Sequence, residues 1–286
     1  TAIGGAETGN KEYWAKWEIN QYTITFDTAG GSEIAPITQD YGTAVTAPAD
    51  PTREGYTFTG WDTAIPATMP AHNMTITAQW TVNQYTITYD LDGGTAEGNP
   101  DTYTVETDAF TLKNPTRPGY TFTGWSGTGL TGEDNLTVTI PKGSTGNRSY
   151  TAHWSLNTYS ITYDLDGGTA SGNPDFYTVE SSTITLNPPT RTGYTFIGWS
   201  GTDLSGSDNL TVTIPTGSIG NRSYTAHWSL NTYSITYDLD GGTAFGNPDS
   251  YTVESAAITL NEPAKAGYVF TCLLYTSPSP RDRSVS

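Results

Sequence analysis

Acidic residues return at fixed places in this 286-residue chain, and carboxylates are where chemistry would begin. Asp90, Asp92 and Asp101 come back as Asp164, Asp166 and Asp175, then as Asp238, Asp240 and Asp249. Hard cations such as calcium want several oxygen ligands from one loop, so these are the candidate metal residues. Their spacing lacks the sixth-position Gly and closing Glu of an EF-hand loop. An Asp-Gly turn between strands explains the same residues with no ion bound. The shorter stretch Asp27-Thr28-Ala29-Gly30-Gly31 has lost the second Asp. Glu106, Glu180 and Glu254 also recur, each without the second carboxylate that glycoside hydrolysis requires.

Other patterns lead no further toward catalysis. Gly127-Thr128-Gly129-Leu130-Thr131-Gly132 spells a dinucleotide-binding turn, but no helix follows, and Asp203 replaces Gly129 in the next copy. Gly124-Trp125-Ser126-Gly127-Thr128 misses a nucleophile elbow at its last residue and lacks the strand-to-helix context. His153 and His227 are equivalent, and Gln79 and Lys16 stand there in other copies. A position that accepts imidazole, amide and ammonium reads as a solvent-facing strand position. No Cys/His metal-ligand spacing exists. The sequence thus offers no catalytic residue and requires no cofactor.

The elements that would carry such groups are short strands. Tyr85-Thr86-Ile87-Thr88-Tyr89-Asp90-Leu91 alternates strictly, as a half-buried strand does. Asp92-Gly93-Gly94 breaks it. Short strands are expected at Tyr103 to Val105, Phe110 to Leu112 and Leu136 to Ile140, with a closing strand at Tyr150 to Trp154. One helical turn could sit near Asn99 to Thr102. Between them lies Pro115-Thr116-Arg117-Pro118-Gly119-Tyr120-Thr121-Phe122-Thr123-Gly124-Trp125, which also occurs at 51–61 and 189–199. Tyr120 and Phe122 share a face and Trp125 falls out of phase. A bulge at Gly124 would return the indole to the core. The expected structural core is Tyr56, Phe58, Trp61, Trp80, Tyr120, Phe122, Trp125, Trp154, Tyr194, Phe196, Trp199 and Trp228. Arg117 and Arg191 are expected to anchor the loop before this strand through a nearby carboxylate. Trp14 is the best exposed aromatic for stacking on a sugar. The Asn-x-Ser/Thr sites at Asn73, Asn135, Asn147, Asn209 and Asn221 read as chance in a Thr-rich chain.

The repeats set the domain plan. Trp17, Trp80, Trp154 and Trp228 are equivalent, spaced 63, 74 and 74 residues apart. The phasing gives the end of a truncated repeat at 1–17, a short module at 18–80, long modules at 81–154 and 155–228, and a truncated module at 229–271. Residues 9–17 echo 146–154, so the chain is expected to be a fragment that starts inside an earlier copy. The expected fold is mainly β: tandem small β-grasp-like modules of four to five strands, strung like beads. Residues 272–286 break the register in mid-strand and resemble a translated sequencing adapter, an artefactual tail.

Composition bounds the partners. The net charge is −17 with no basic cluster, so a phosphate backbone would be repelled and no nucleic acid is expected. A single Cys excludes a disulfide framework. No apolar run is long enough to be a membrane-spanning helix. The Tyr-Thr-Ile-Thr-Tyr-Asp and Asp-Gly-Gly motifs, then Pro-Thr-Arg-x-Gly-Tyr-Thr-Phe-x-Gly-Trp and Ala-x-Trp, resemble the Listeria–Bacteroides repeat, the internalin-type B repeat, across 1–271. The resemblance implies an extracellular protein of the bacterial surface or cell wall. It implies non-enzymatic β modules acting as stalk, spacer or adhesion scaffold, with neighbouring repeat modules as partners. A ligand-binding array that recognises carbohydrate or a host protein is the alternative.

Overall fold

The computed structural model describes residues 4–273, and no helix occurs among them. The chain divides into two compact units between Ser155 and Leu156. In the first unit, β1 (Gln21–Asp27), β2 (Ile37–Asp40), β3 (Tyr56–Trp61) and β4 (Met74–Val82) form one sheet in the order β2-β1-β4-β3. The central pair is parallel, with Ile24 opposite Met74 and Asp27 opposite Thr77. Both outer pairs are antiparallel. Two hairpins joined by a parallel centre make a β-grasp-like sheet. Period-two alternation puts Ile24, Phe26, Ile76 and Ala78 on the buried face, and Met69 packs with them.

The same unit holds a longer copy, with β5 (Tyr85–Asp90), β6 (Thr102–Tyr103), β7 (Phe110–Thr111), β8 (Tyr120–Gly127), β9 (Thr139–Ile140) and β10 (Arg148–Leu156). Its sheet has the order β6-β5-β10-β8, again with a parallel centre. The two-residue strands β7 and β9 pair separately, Phe110 opposite Ile140. The second unit repeats this plan with β11 (Tyr159–Asp164), β12 (Phe176–Tyr177), β13 (Ile184–Thr185), β14 (Tyr194–Gly201), β15 (Thr213–Ile214) and β16 (Arg222–Leu230). It closes with β17 (Thr232–Ser234) paired to β18 (Ser250–Thr252).

The glycine before each core tryptophan makes a bulge. The register of β3 on β4 shifts between Phe58 and Gly60, and that of β14 on β16 between Phe196 and Gly198. One extra residue turns Trp61 and Trp199 onto the face of Ala78 and Ala226. The longer copies then seal their tryptophan. The Trp125 N–H donates to Asn135 O, and Asn135 Nδ2 returns a bond to Trp125 O at 2.8 Å. Val138 and Ile140 complete the cover. Trp125 and Trp199 are 0% exposed, whereas Trp61, which has no such segment over it, is half-buried. Fully burying an indole removes about 150–250 Å², worth roughly 4–6 kcal/mol as an upper bound.

Three expectations need correction. No helical turn forms at Asn99 to Thr102. Asn99 instead pairs through its side-chain amide with the Lys113 backbone in both directions, at 2.7 and 3.0 Å, which holds the segment extended. The strand expected over Leu136 to Ile140 shrinks to Thr139–Ile140, because Leu136 is exposed and Asn135 is spent on Trp125. The strand expected over Tyr103 to Val105 is Thr102–Tyr103, because Thr104 and Thr107 close a turn after it. The tail expected from Cys272 lies outside the described residues beyond Leu273.

Candidate functional site

The copies are closed by a cluster drawn from the Asp-Gly-Gly, Ala-x-Trp and Pro-Thr-Arg motifs, best seen in the copy that starts at Tyr85. Asp92 and Gly93 both have positive φ, 45° and 79°, and the Gly94 N–H donates to Leu91 O at 2.9 Å. That is the backbone a type I′ hairpin turn requires. Asp90 Oδ1 accepts the Asp92 N–H at 3.1 Å and supports the turn. The indole of Trp154 packs on Gly94, where a Cβ would come within 3.0 Å of its ring, and its Nε1 donates to Leu91 O at 3.1 Å. Trp80 on Gly31 and Trp228 on Gly168 repeat the arrangement, donating to Thr28 O and Leu165 O. Arg117 comes from the Pro-Thr-Arg motif. Its Nη1 meets Asp92 Oδ2 at 2.8 Å, and its guanidinium lies 3.8 Å over the Tyr120 ring. Arg191 does the same with Asp166 and Tyr194. In the last copy Lys265 pairs with Asp240 over Tyr268. Arg53 keeps the ring contact with Tyr56, though Ala29 supplies no carboxylate.

These contacts decide how the candidate calcium residues are used. Asp92 and Asp166 hold arginines, and Asp90 and Asp164 accept turn amides. Asp101 and Asp175 stand apart, where their backbone carbonyls accept the Ile87 and Ile161 N–H groups. Among the described residues no group of three or more acidic, His or Cys side chains is gathered to hold a metal.

The expected core residues separate into three roles. Trp125 and Trp199 are fully buried. Trp61, Phe122, Trp154, Phe196 and Trp228 are half-buried and pack against the core clusters; Phe58 and Trp80 pack edge-on. Tyr56 and Tyr194 do not enter the core. They share the face of Phe58 and Phe196 but stand at the start of the strand, where each ring is covered by its arginine and its hydroxyl points away. Tyr120 likewise lies under Arg117. Tyr89 and Tyr163 are half-buried against the core clusters. Burial pushes both up to about 12, and their hydroxyls donate to Pro100 O and Pro174 O.

The tyrosines outside the core reach the following copy. The Tyr56 hydroxyl donates to Glu106 Oε1 at 2.8 Å, and the hydrogen bond to this carboxylate holds the phenol above its ordinary pKa. A Cβ on Gly55 would fall within 2.8 Å of Val105 Cγ2 and closer still to Cγ1. Thr145 Oγ1 adds a bond to Glu54 Oε1 at 3.3 Å. In the second unit the Tyr194 hydroxyl donates to Glu254, and Gly193 abuts Val253 in the same way. The connecting asparagines fix the approach: the Asn83 and Asn231 N–H groups donate to Gly55 O and Gly193 O at 2.9 Å. Their Oδ1 atoms accept from Thr57 and Thr195 at 2.6 Å. Glu106 and Glu254, set aside as unpaired acids, are therefore acceptors for a neighbour. Their recurrence in equal register was the available signal.

His153 and His227 are half-buried rather than solvent-facing. Nε2 of each lies 2.6 Å from Ser126 or Ser200 Oγ, because the bulge sets serine and imidazole diagonally on one face. Glu133 Oε2 stands 3.6 Å from His153 Nδ1. Serine, histidine and acid in that order are the parts of a hydrolytic triad. Ser207 replaces Glu133 in the next copy, and Asp62 and Gln79 replace the serine and histidine in the short one. The nearby amides of Trp125 and Thr128 are bound to Asn135 O and Ser149 O, leaving neither for an oxyanion. The arrangement is a cross-strand hydrogen bond. Trp14 and Trp17 are 85% and 88% exposed.

Such a chain is defined by recurrence: small mixed sheets in series, three of them closed by a turn, an arginine and an indole. The Listeria-Bacteroides repeat domain matches at residues 22–79, 85–152, 159–222 and 233–272, and the chain belongs to that family. Over 274 residues, 90% of this chain, it is 29% identical to a protein of Evansella cellulosilytica named as a Gly-rich membrane protein. A second membrane protein of that organism is 32% identical over 78% of this chain. Internalin H of Listeria monocytogenes is 34% identical over 54%. The chain spans 30%, 35% and 29% of the length of these relatives.

Proposed function

We propose that this chain is a repeat region of a bacterial surface protein, outside the cell, acting as a non-enzymatic stalk, spacer or adhesion scaffold. Residues 18–80, 81–154 and 155–228 are its complete modules, and 1–17 and 229–271 belong to further ones. One observation carries the reading: the residues that recur are spent on turns, cores and neighbouring copies. Asp92 is held by Arg117, Trp154 by Leu91 O, and Glu106 by Tyr56. A binding or catalytic array would instead repeat an open constellation. The names of the Evansella relatives and internalin H support a place at the membrane or cell surface. Trp14, standing where other copies carry Thr151 and Thr225, favours the rival, an array that binds carbohydrate or a host protein. The whole chain should give no signal on a glycan array or a host surface-protein panel, and calcium should leave its melting unchanged. A glycan signal removed by Trp14→Ala would replace the spacer reading with the binding one.

A further inference from the structure

We infer that the Gly-Tyr turn of one repeat and the Val-Glu turn of the next form a built docking surface, whose occupant is the following repeat of the same chain. This deepens the spacer reading: docking makes consecutive modules one stiff element instead of two beads on a hinge. Two junctions carry the inference, one in each unit. In both, a glycine meets a valine and a tyrosine hydroxyl donates to the adjacent glutamate.

The glycines supply the decisive comparison. Gly55, Gly193 and Gly267 have φ of 79°, 80° and 80°, so each turn needs a residue at ease with positive φ. That need is met inside the module. Gly55 and Gly193 have a second need, because a Cβ on either would penetrate the valine of the following repeat. Gly267 has the same backbone and, among the described residues, nothing within 4 Å of its Cβ position. At Gly55 and Gly193 the atoms met belong to the valine of the following repeat, so the close approach is made with the successor.

The acceptor side is prepared as well. Thr104 Oγ1 accepts the Glu106 N–H at 3.2 Å, and the Gly143 N–H donates to Val105 O at 3.0 Å, so the Val-Glu turn is fixed by its own module. The connector is tied to the donor turn through Asn83. Inter-module motion thus has little slack at either end. The short repeat carries Tyr41-Gly42 at the register of Val105-Glu106 and has no carboxylate to offer there. Docking is accordingly directional: a successor must bring the Val-Glu turn.

The experiment is a distance distribution between spin labels at Thr46→Cys and Glu97→Cys, both exposed, in the full chain with Cys272→Ser. The expected result is one narrow distribution that widens ~2-fold in the combined variant Tyr56→Phe, Val105→Ser, Glu106→Ala, as undocked neighbours move independently. Tyr56→Phe with Glu106→Ala leaves both turns intact and should widen it by less, which covers the case where Val105→Ser unfolds its module. A broad distribution in the parent chain overturns the inference. So does a narrow one that neither variant widens, since the connector alone would then set the geometry. A glycan signal with a narrow distribution would instead defeat the spacer reading and leave docking in place.

Discussion

Replacing Pro188 by asparagine should slow hydrogen exchange at the Trp199 indole about fivefold, the equivalent of about 1 kcal/mol. Trp125 and Trp199 are equally buried, but of the two only Trp125 meets an acceptor among the described residues: its Nε1 donates to Asn114 Oδ1 at 3.1 Å. Among the described residues Trp199 Nε1 has no partner. The register explains it, because Lys113-Asn114-Pro115-Thr116 becomes Asn187-Pro188-Pro189-Thr190. Leaving a buried donor unmade costs about 1–3 kcal/mol. Removing Pro188 returns freedom to the unfolded chain and costs about 0.4–1 kcal/mol in the opposite direction. The backbone is already suited to the change, since Asn114 and Pro188 both precede a proline, which biases both positions to extended backbone. The balance is a gain of about 1 kcal/mol. Indole N–H signals resolve the two copies in one sample, so a chain with several cooperative units poses no difficulty. Asn114→Pro is the reciprocal and should speed Trp125 exchange by more, because Asn114 Nδ2 also donates to Leu136 O at 3.1 Å. If Pro188→Asn left Trp199 exchange unchanged while Asn114→Pro left Trp125 unchanged, the missing acceptor would not be the cause.

Gly94→Ala should destabilise its module by about 1–3 kcal/mol, read as loss of Trp154 protection, since the new methyl overlaps the indole. The corresponding Gly242→Ala lacks an indole to meet and should cost less. Alkaline titration should unfold the long modules from about pH 10 upward. Tyr89 and Tyr163 titrate near 12 folded and near 10 unfolded, so their contribution is complete below 10 and lost as pH rises through 12; circular dichroism checks it. Secretion through a glycosylating host should give protein lacking glycans at Asn73, Asn147 and Asn221, or misfolded protein where they are present. Their Oδ1 atoms accept the Thr23, Thr86 and Ser160 N–H groups at the sheet. Mass mapping of glycopeptides decides it. A fluorophosphonate probe should leave Ser126 unlabelled, and labelling lost in His153→Ala would make the serine a nucleophile.

The strands and their inward faces were legible because a half-buried sheet forces a period of two. Ile24 and Phe26, or Ile87 and Tyr89, show it without help from the fold. The bulge was legible from one glycine and an out-of-phase tryptophan. Tyr56 was not, because period two places it with Phe58 whether or not the core extends that far. Only the three-dimensional end of the sheet separates a packed ring from one that reaches outward. The sequons misled for a related reason. Asn73, Asn147 and Asn221 look accidental one at a time, yet they stand at one register of the repeat. Position within the repeat, rather than residue type, was the informative quantity.

Positions where the copies differ argue the same point from the other side. Trp61 is half-buried, Gly60 has open space at its Cβ position, and no segment crosses them. In the long copy a Cβ on Gly124 would come within 2.5 Å of Asn135 N, and Trp125 is sealed. The added residues are thus accounted for by the tryptophan they cover, with no ligand needed to explain them. Ala29 replaces Asp92 where Arg53 keeps only its ring, and the turn survives with φ of 49° at the alanine. A surface ion pair contributes about 0–1 kcal/mol, so its loss is tolerable, whereas the indole-on-glycine contact is kept at Gly31, Gly94 and Gly168. What varies is what the fold can spare, and what stays is what closes a module or receives its successor.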